Sequence, residues 1–301
     1  MLTGPTKGKK TIRNHKPFLR MKKQLLVVIP LLAVIFVVSI MTHHTAPKQV
    51  QLPSQAYVAL GDSVAAGVGL KYDSDSSACD RTDQSYSHIV AARLNLKLTN
   101  ISCSGATIGA GISGQQNVNN LLATPQIDQL FTQPKPQVVS LTIGANDIDW
   151  TSIITKCYVG VCGSDDDTSA VNAHLNVLTT NMSDVLSKIG DHYGKNVPKV
   201  IVTGYHQVFP SSAANCADLT GIDANELAWG RQQQANLNTT IQAVVQKYHF
   251  AVFVPINFTG HELCTTDSWV QGIGDKQPYH PTAAGQIEYA NEIVSAVKAF
   301  K

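Results

Sequence analysis

Residues 56–63 read AYVALGDS. Tyr57–Leu60 is a short β-rich apolar run, and Gly61-Asp62-Ser63 ends it where a glycine lets the backbone turn sharply. Downstream, similar runs at Leu98–Ser102, Val138–Ile143, Val200–Thr203 and Ala251–Pro255 alternate with longer stretches of helical period. That alternation predicts an α/β fold, a three-layer α/β/α sandwich around a parallel sheet. The last helical stretch carries the period well: Ile287, Ala290, Ile293, Val294 and Val297 fall on one face, with Glu288 and Lys298 among the polar positions. The polar segments Asp73–Asp83 and Gly163–Ser169 read as surface loops, and the run Asp165–Asp167 as solvated acid.

In an open parallel sheet, sites form at the carboxyl ends of strands. Four segments answer to that description or lie beside it. The first run ends in Gly61-Asp62-Ser63, where a serine hydroxyl meets the N–H groups of a following turn or helix start. The second leads to Ser102-Cys103-Ser104-Gly105-Ala106-Thr107, and the third to Gly144-Ala145-Asn146-Asp147. A glycine there brings its main-chain N–H close to a substrate oxygen, and the Asn146 amide is a neutral donor suited to a developing oxyanion. Near the end of the chain Tyr279-His280-Pro281 places a histidine just before a helix whose first position suits Pro281. Taken singly, each piece also reads as a turn or a helix cap.

Outside this unit the chain changes character. Of the 301 residues 44% are hydrophobic and 15% charged, which excludes a disordered or coiled-coil chain, and no internal repeat occurs. Residues 1–23 hold eight basic residues and no acid, leaving 15 basic against 21 acidic residues beyond them. The basic charge therefore sits on a tail and not on the folded unit, which argues against nucleic acid as a partner. Residues 24–41 contain the uncharged run LLVVIPLLAVIFVVSIM after Lys22-Lys23, the pattern of a signal anchor or a signal peptide with a cytoplasmic N-terminus. Residues 42–55 are polar with two prolines and read as a linker, so 56–301 is the expected functional domain.

All six cysteines lie beyond the apolar run, as expected of a chain routed to an oxidising compartment. Six cysteines allow fifteen connectivities, and pairing of chain neighbours gives Cys79–Cys103, Cys157–Cys162 and Cys216–Cys264. No CxxC or HExxH spacing occurs, and neither a metal nor another cofactor is expected.

The four pieces in this order (GDS, a glycine block, GxND and a late HP) resemble the SGNH or GDSL family of serine esterases and lipases. The six cysteines, His261-Glu262-Leu263-Cys264, the Trp269 segment and HPxxxG are similar to the secreted actinobacterial branch with three disulfides. The resemblance covers residues 56 to the C-terminus. It implies Ser63 as nucleophile, His280 as general base, and the Ser63 N–H, Gly105 N–H and Asn146 side chain as oxyanion donors. The family's usual DxxH is missing, because Gln277 stands three residues before His280. Some members of the branch orient the histidine with a main-chain carbonyl, which Gln277 can offer whatever its side chain; Asp275 is the competing orienter. The resemblance implies an ester hydrolase acting on a small ester or lipid; with the apolar run and the cysteines, an extracytoplasmic, monomeric enzyme is expected, membrane-anchored through 24–41 or secreted after cleavage. An acyltransferase, a cell-wall O-acetylesterase and a tethered non-catalytic binding module are the other readings. Trp150, Trp229 and Trp269 read as packing residues, and nothing in the sequence reads acyl length.

Overall fold

The computed structural model describes residues 55–71 and 78–300; the basic tail, the apolar segment and all but the last residue of the linker lie outside the described residues. Five strands form one sheet: β1 (Ala56–Gly61), β2 (Lys97–Asn100), β5 (Val138–Thr142), β6 (Lys199–Thr203) and β7 (Ala251–Val254). Their order is β2-β1-β5-β6-β7, and every neighbouring pair is parallel. Between β2 and β5 in the chain lies a short antiparallel hairpin, β3 (Gln116–Val118) with β4 (Leu121–Ala123), which strand periodicity did not reveal because three residues are too few to show one.

The helices are α1 (Ser63–Ala66), α2 (Tyr86–Leu94), α3 (Gln126–Thr132), α4 (Trp150–Val159), α5 (Asp165–Tyr193), α6 (Ala224–Val245) and α7 (Ala283–Ala299). Helices α2 and α7 pack together, as do α5 and α6, giving the three-layer α/β/α sandwich. The central strand β5 is buried at all five positions, so even its polar side chains need partners. They have them: Ser140 Oγ lies 2.7 Å from the Tyr57 hydroxyl, while Thr142 Oγ1 lies 2.7 Å from the Tyr86 hydroxyl and 2.6 Å from Thr203 Oγ1.

Register decides where the strand ends fall. Tyr57 pairs with Val138 and Gly61 with Thr142, so β1 and β5 finish level with each other. From β1 the chain crosses to β2 on one side and later to β5 on the other, which makes the β1/β5 boundary the topological switch point of the sheet. Gly61 is required at this boundary: its φ is +141°, and a Cβ there would stand 2.3 Å from the Thr142 carbonyl oxygen.

Three local expectations are corrected. The run Asp165–Asp167 is the first turn of α5, not a loop; Ser164 caps it, its hydroxyl accepting the Asp167 N–H at 3.2 Å while Asp167 pairs with Lys156. Asp165 and Asp166 are exposed, as the solvated reading expects, and acidic side chains favour a helix N-terminus. Pro281 is not the first residue of the last helix, because Thr282 is its N-cap, accepting the Gly285 N–H at 3.3 Å. The buried face of α7 is also rotated: Ile287 is 44% exposed, and Gln286 and Tyr289 are fully buried in its place. Both inward side chains have polar work, since Gln286 bonds the main chain of two other elements and Tyr289 bonds His206.

Candidate active site

Ser63 is the first residue of α1, a single helical turn that begins where β1 stops. Asp62 caps the turn with its Oδ1, which accepts the Val64 N–H at 2.9 Å. Ser63 is half-buried while its chain neighbours on both sides are buried, so its hydroxyl is the part of the turn that faces out. His280 arrives from the loop before α7, and its Nε2 lies 2.7 Å from Ser63 Oγ.

The other imidazole nitrogen settles the tautomer. His280 Nδ1 lies 3.1 Å from the Pro278 carbonyl oxygen, which only accepts. Nδ1 therefore carries the proton and donates it to Pro278, leaving Nε2 with a free lone pair for the serine O–H. The nearer acceptor is the Pro278 main-chain carbonyl, and the Gln277 carbonyl expected from the sequence also faces the imidazole while accepting the His280 main-chain N–H at 3.4 Å. Asp275 is exposed, and its Oδ2 accepts the Gly272 N–H at 2.7 Å within its own loop. Burial pulls the His280 imidazole below its ordinary value of 6.5, and the Pro278 and Gln277 carbonyls oppose that shift.

Two loops flank the serine. The β2 loop carrying Gly105 is tied down by the Cys79–Cys103 disulfide, by the Cys103 N–H donating to Gly61 O at 3.0 Å, and by Gln116 Nε2 donating to Ser104 O at 2.7 Å. Gly105 lies in the left-handed region with φ +75°, and neither its N–H nor that of Ser63 finds an acceptor among the described residues. The β5 loop carries Asn146, whose Nδ2 donates to Ala106 O at 2.8 Å and keeps a second N–H. Asp147 locks the two loops together by accepting the Ile108 N–H at 3.0 Å; burial pushes its carboxyl up to about 6. Burial likewise raises Asp62 to about 7, against the lowering effect of the Tyr205 hydroxyl that donates to it.

The histidine side is held by amides. Gln271 Nε2 donates to Val68 O behind the serine turn and to Pro281 O beside His280, both at 3.0 Å. Gln286 Nε2 donates to Val64 O at 3.0 Å while its Oε1 accepts the Tyr86 N–H at 2.7 Å. Gly69 makes room for the first of these, because a Cβ there would stand 2.2 Å from Gln271 Oε1. Beneath His280, the buried His206 faces the Tyr279 carbonyl with Nε2 at 3.3 Å and the Tyr289 hydroxyl with Nδ1 at 3.0 Å. Burial, reinforced by His280, lowers it to about 3, so it is neutral at ordinary pH.

A cavity of about 310 Å³ opens on Ser63 and His280, with Trp150, Ile154, Val208, Leu237 and Tyr279 among its walls. Trp150 thus lines the cavity, whereas Trp229 donates its Nε1–H to Thr168 at 3.0 Å and Trp269 stacks on His261. The Cys157–Cys162 and Cys216–Cys264 disulfides close loops beyond α4 and before the histidine segment. Sequence reasoning missed Tyr205, His206, Gln271 and Gln286. The strand-end rule that found Ser63 and Asn146 would have pointed to Tyr205 and His206 after β6, but the glutamines carry no spacing signal. Among the described residues, no three His, Cys, Asp or Glu side chains are grouped to hold a metal ion.

A parallel α/β/α sheet with a serine–histidine contact and unpaired donors at its switch point defines a hydrolase-type architecture. The chain belongs to the GDSL-like Lipase/Acylhydrolase family, which it matches over residues 59–286. It is 29% identical over 238 residues to a lipase from Streptomyces rimosus, covering 76% of this chain and 82% of that one. Among solved structures it resembles phospholipase A1 from Streptomyces albidoflavus NA297, with TM-score 0.61, 28% identity, and coverage of 80% of this chain and 98% of the other. It also resembles the extracellular lipase from Streptomyces rimosus, with TM-score 0.60, 28% identity, and coverage of 80% and 99%.

Proposed function

We propose that this enzyme is an exported carboxylic-ester hydrolase working through a Ser63 acyl-enzyme, with His280 as its only proton-transfer side chain. The observation that carries the reading is the 2.7 Å Ser63–His280 contact in which the far imidazole nitrogen is committed to a carbonyl acceptor. An unassisted hydroxyl is a weak nucleophile. As Ser63 Oγ bonds to the ester carbonyl carbon, its proton passes to His280 Nε2, and the carbonyl π-electrons move onto oxygen. The Ser63 N–H, the Gly105 N–H and the Asn146 amide receive that oxyanion. Collapse expels the alcohol, which takes the proton from His280. Water, deprotonated by the same imidazole, then attacks the acyl-enzyme; collapse breaks the bond to Ser63 Oγ, which takes the proton back from His280 as the acid leaves.

The apolar walls of the cavity favour a lipid-like acyl group over acetyl, so the lipase reading leads the O-acetylesterase one. Export is supported by the three disulfides, which persist in oxidising compartments, and by similarity to an extracellular lipase. In this reading residues 56–301 are the catalytic domain and 24–41 the signal anchor or signal peptide. Among the described residues no helix is long and apolar enough to cross a membrane.

The test is labelling with a serine-directed alkyl phosphonate followed by peptide mapping. The label is expected on Ser63, with stoichiometric loss of ester hydrolysis, and is absent from Ser63→Ala. Unchanged hydrolysis in folded Ser63→Ala contradicts the proposal. A chain-length series of soluble esters then separates lipase from acetylesterase, the former requiring faster turnover on longer acyl groups than on acetate.

A further inference from the structure

Three strand ends meet at one phenol. Tyr205 follows β6, and its buried ring reaches across to the ends of β1 and β5. Its hydroxyl donates to Asp62 Oδ2 and accepts the Ala145 N–H at 3.1 Å. Asp62 immediately precedes Ser63, and Ala145 immediately precedes Asn146. The phenol therefore bridges two loops at points one residue behind two of the oxyanion donors. Nor is the phenol free to drift, because the Asn238 side chain on α6 grips the Tyr205 main chain from both sides. Its Oδ1 accepts the Tyr205 N–H and its Nδ2 donates to the Tyr205 carbonyl, each at 2.8 Å.

Other groups join the same loops elsewhere. Asp62 N–H donates to Thr142 O at 3.0 Å, and Asp147 holds the β5 loop to the β2 loop. None of these fixes the β5 loop to the turn of Ser63 beyond the strand ends. A tetrahedral oxyanion needs donors about 2.7–3.1 Å from one point, and misplacement by about 1 Å can cost about a hundredfold in rate. We infer that Tyr205 is a positioning residue which, clamped by Asn238, sets the separation between the Ser63 N–H and the Asn146 amide. This inference rests on the acyl-enzyme reading above. It assigns no contact with the reacting atoms to Tyr205 itself.

Phenylalanine fills the same space and loses both hydrogen bonds, so Tyr205→Phe in the full chain isolates the hydroxyl. On a soluble ester, kcat is expected to fall about tenfold to a hundredfold with KM within about twofold, since ground-state binding does not use the oxyanion donors. Affinity for an alkyl boronic acid, whose adduct places a boron-bound oxygen among those donors, should fall by the same factor. A purely structural role leaves that affinity and kcat unchanged while lowering Tm. The decisive measurement is a double-mutant cycle with Asn146→Ala. If Tyr205 acts by placing Asn146, its loss costs at least about threefold less in the Asn146→Ala background than in the parent. Additive losses, or parental kcat in Tyr205→Phe, overturn the inference. Should Tyr205→Phe not fold, Asn238→Asp replaces it in the same cycle, keeping the acceptor for the Tyr205 N–H and removing the donor to its carbonyl. Ser63→Ala separates the two levels. Hydrolysis surviving in Ser63→Ala defeats the acyl-enzyme reading, whereas an inactive Ser63→Ala beside additive Tyr205 and Asn146 losses defeats the Tyr205 assignment alone.

Discussion

The serine and histidine sides of this site are built by different means. Ser63 and Asn146 follow β1 and β5 by two and four residues; the register brings those strand ends level, so the ladder sets where the two loops start, and ties from Asp147 and Tyr205 hold them beyond it. His280 sits at the end of the long connection between β7 and α7, where an isolated bridge between Val270 and Pro281 is the only strand-like pairing among the described residues. That connection is anchored by the Cys216–Cys264 disulfide and by the buried Gln271 side chain. The difference teaches where precision comes from. A strand end starts from a position the ladder and the buried core have already set, whereas a base on a long connection depends on each of its few ties.

The two sides should consequently break differently. The largest loss is expected when either partner of the proton transfer is removed: Ser63→Ala and His280→Ala should each cost about 10⁴-fold or more in kcat, and the double variant no more than either alone. Steady-state turnover on one soluble ester, with folding checked by circular dichroism, measures this. Additive losses would mean the two side chains do not act as a unit. On the strand-borne side, Asn146→Ala should cost about a hundredfold in kcat if its second N–H serves the transition state, and about 1–3 kcal/mol of stability from the buried Ala106 carbonyl it leaves without that donor. A folded variant with parental kcat would remove Asn146 from the mechanism.

The loop-borne side should lose stability and rate together. Gln271→Leu strips the Val68 and Pro281 carbonyls of one shared donor, leaving buried acceptors unsatisfied at about 1–3 kcal/mol, and frees the histidine segment from the serine turn. We expect a lower Tm and about a tenfold lower kcat, since reduced placement of the base raises the barrier. Denaturant unfolding alongside kinetics reads both. A drop in Tm without any change in kcat would show that Gln271 stabilises the fold and not the placement of His280.

What the sequence disclosed follows the same division. Ser63, Gly105 and Asn146 were legible because a β-rich run followed by glycine and a polar residue is a local pattern. His280 was legible only through its order relative to those pieces. The bonds that hold the histidine segment were not legible: Gln286 and Val64 are 222 residues apart, Gln271 and Val68 are 203 apart, and a glutamine's side chain is uncommitted until the fold supplies its partners. The helical period of α7 placed Ile287 inside because periodicity weighs apolarity alone. Gln286 and Tyr289 took the inner positions since buried main-chain and imidazole groups needed donors and acceptors there. A main-chain orienter for His280 was legible, but that Pro278 shares the role with Gln277 was not, because the turn that aims each carbonyl leaves no mark on composition.

The smallest expected effect is also the sharpest. If a main-chain carbonyl suffices to orient His280, no carboxylate near it contributes, and the double variant Asp275→Asn/Gln277→Ala should keep kcat/KM within about threefold of the parent, against the roughly 10⁴-fold loss that removing a triad acid causes elsewhere. Its pH profile should be superimposable on the parent's. The base must be neutral to accept the serine proton, and burial lowers its value from 6.5, so kcat/KM should rise with pH through an inflection below 6.5 and level off above it. The pH dependence of kcat/KM for this double variant on a soluble ester tests most directly the claim that Ser63 and His280 work without a side-chain acid. Parental rates with an unmoved inflection are the result the account predicts. A collapse approaching that of His280→Ala, in a variant folded by circular dichroism, would contradict it.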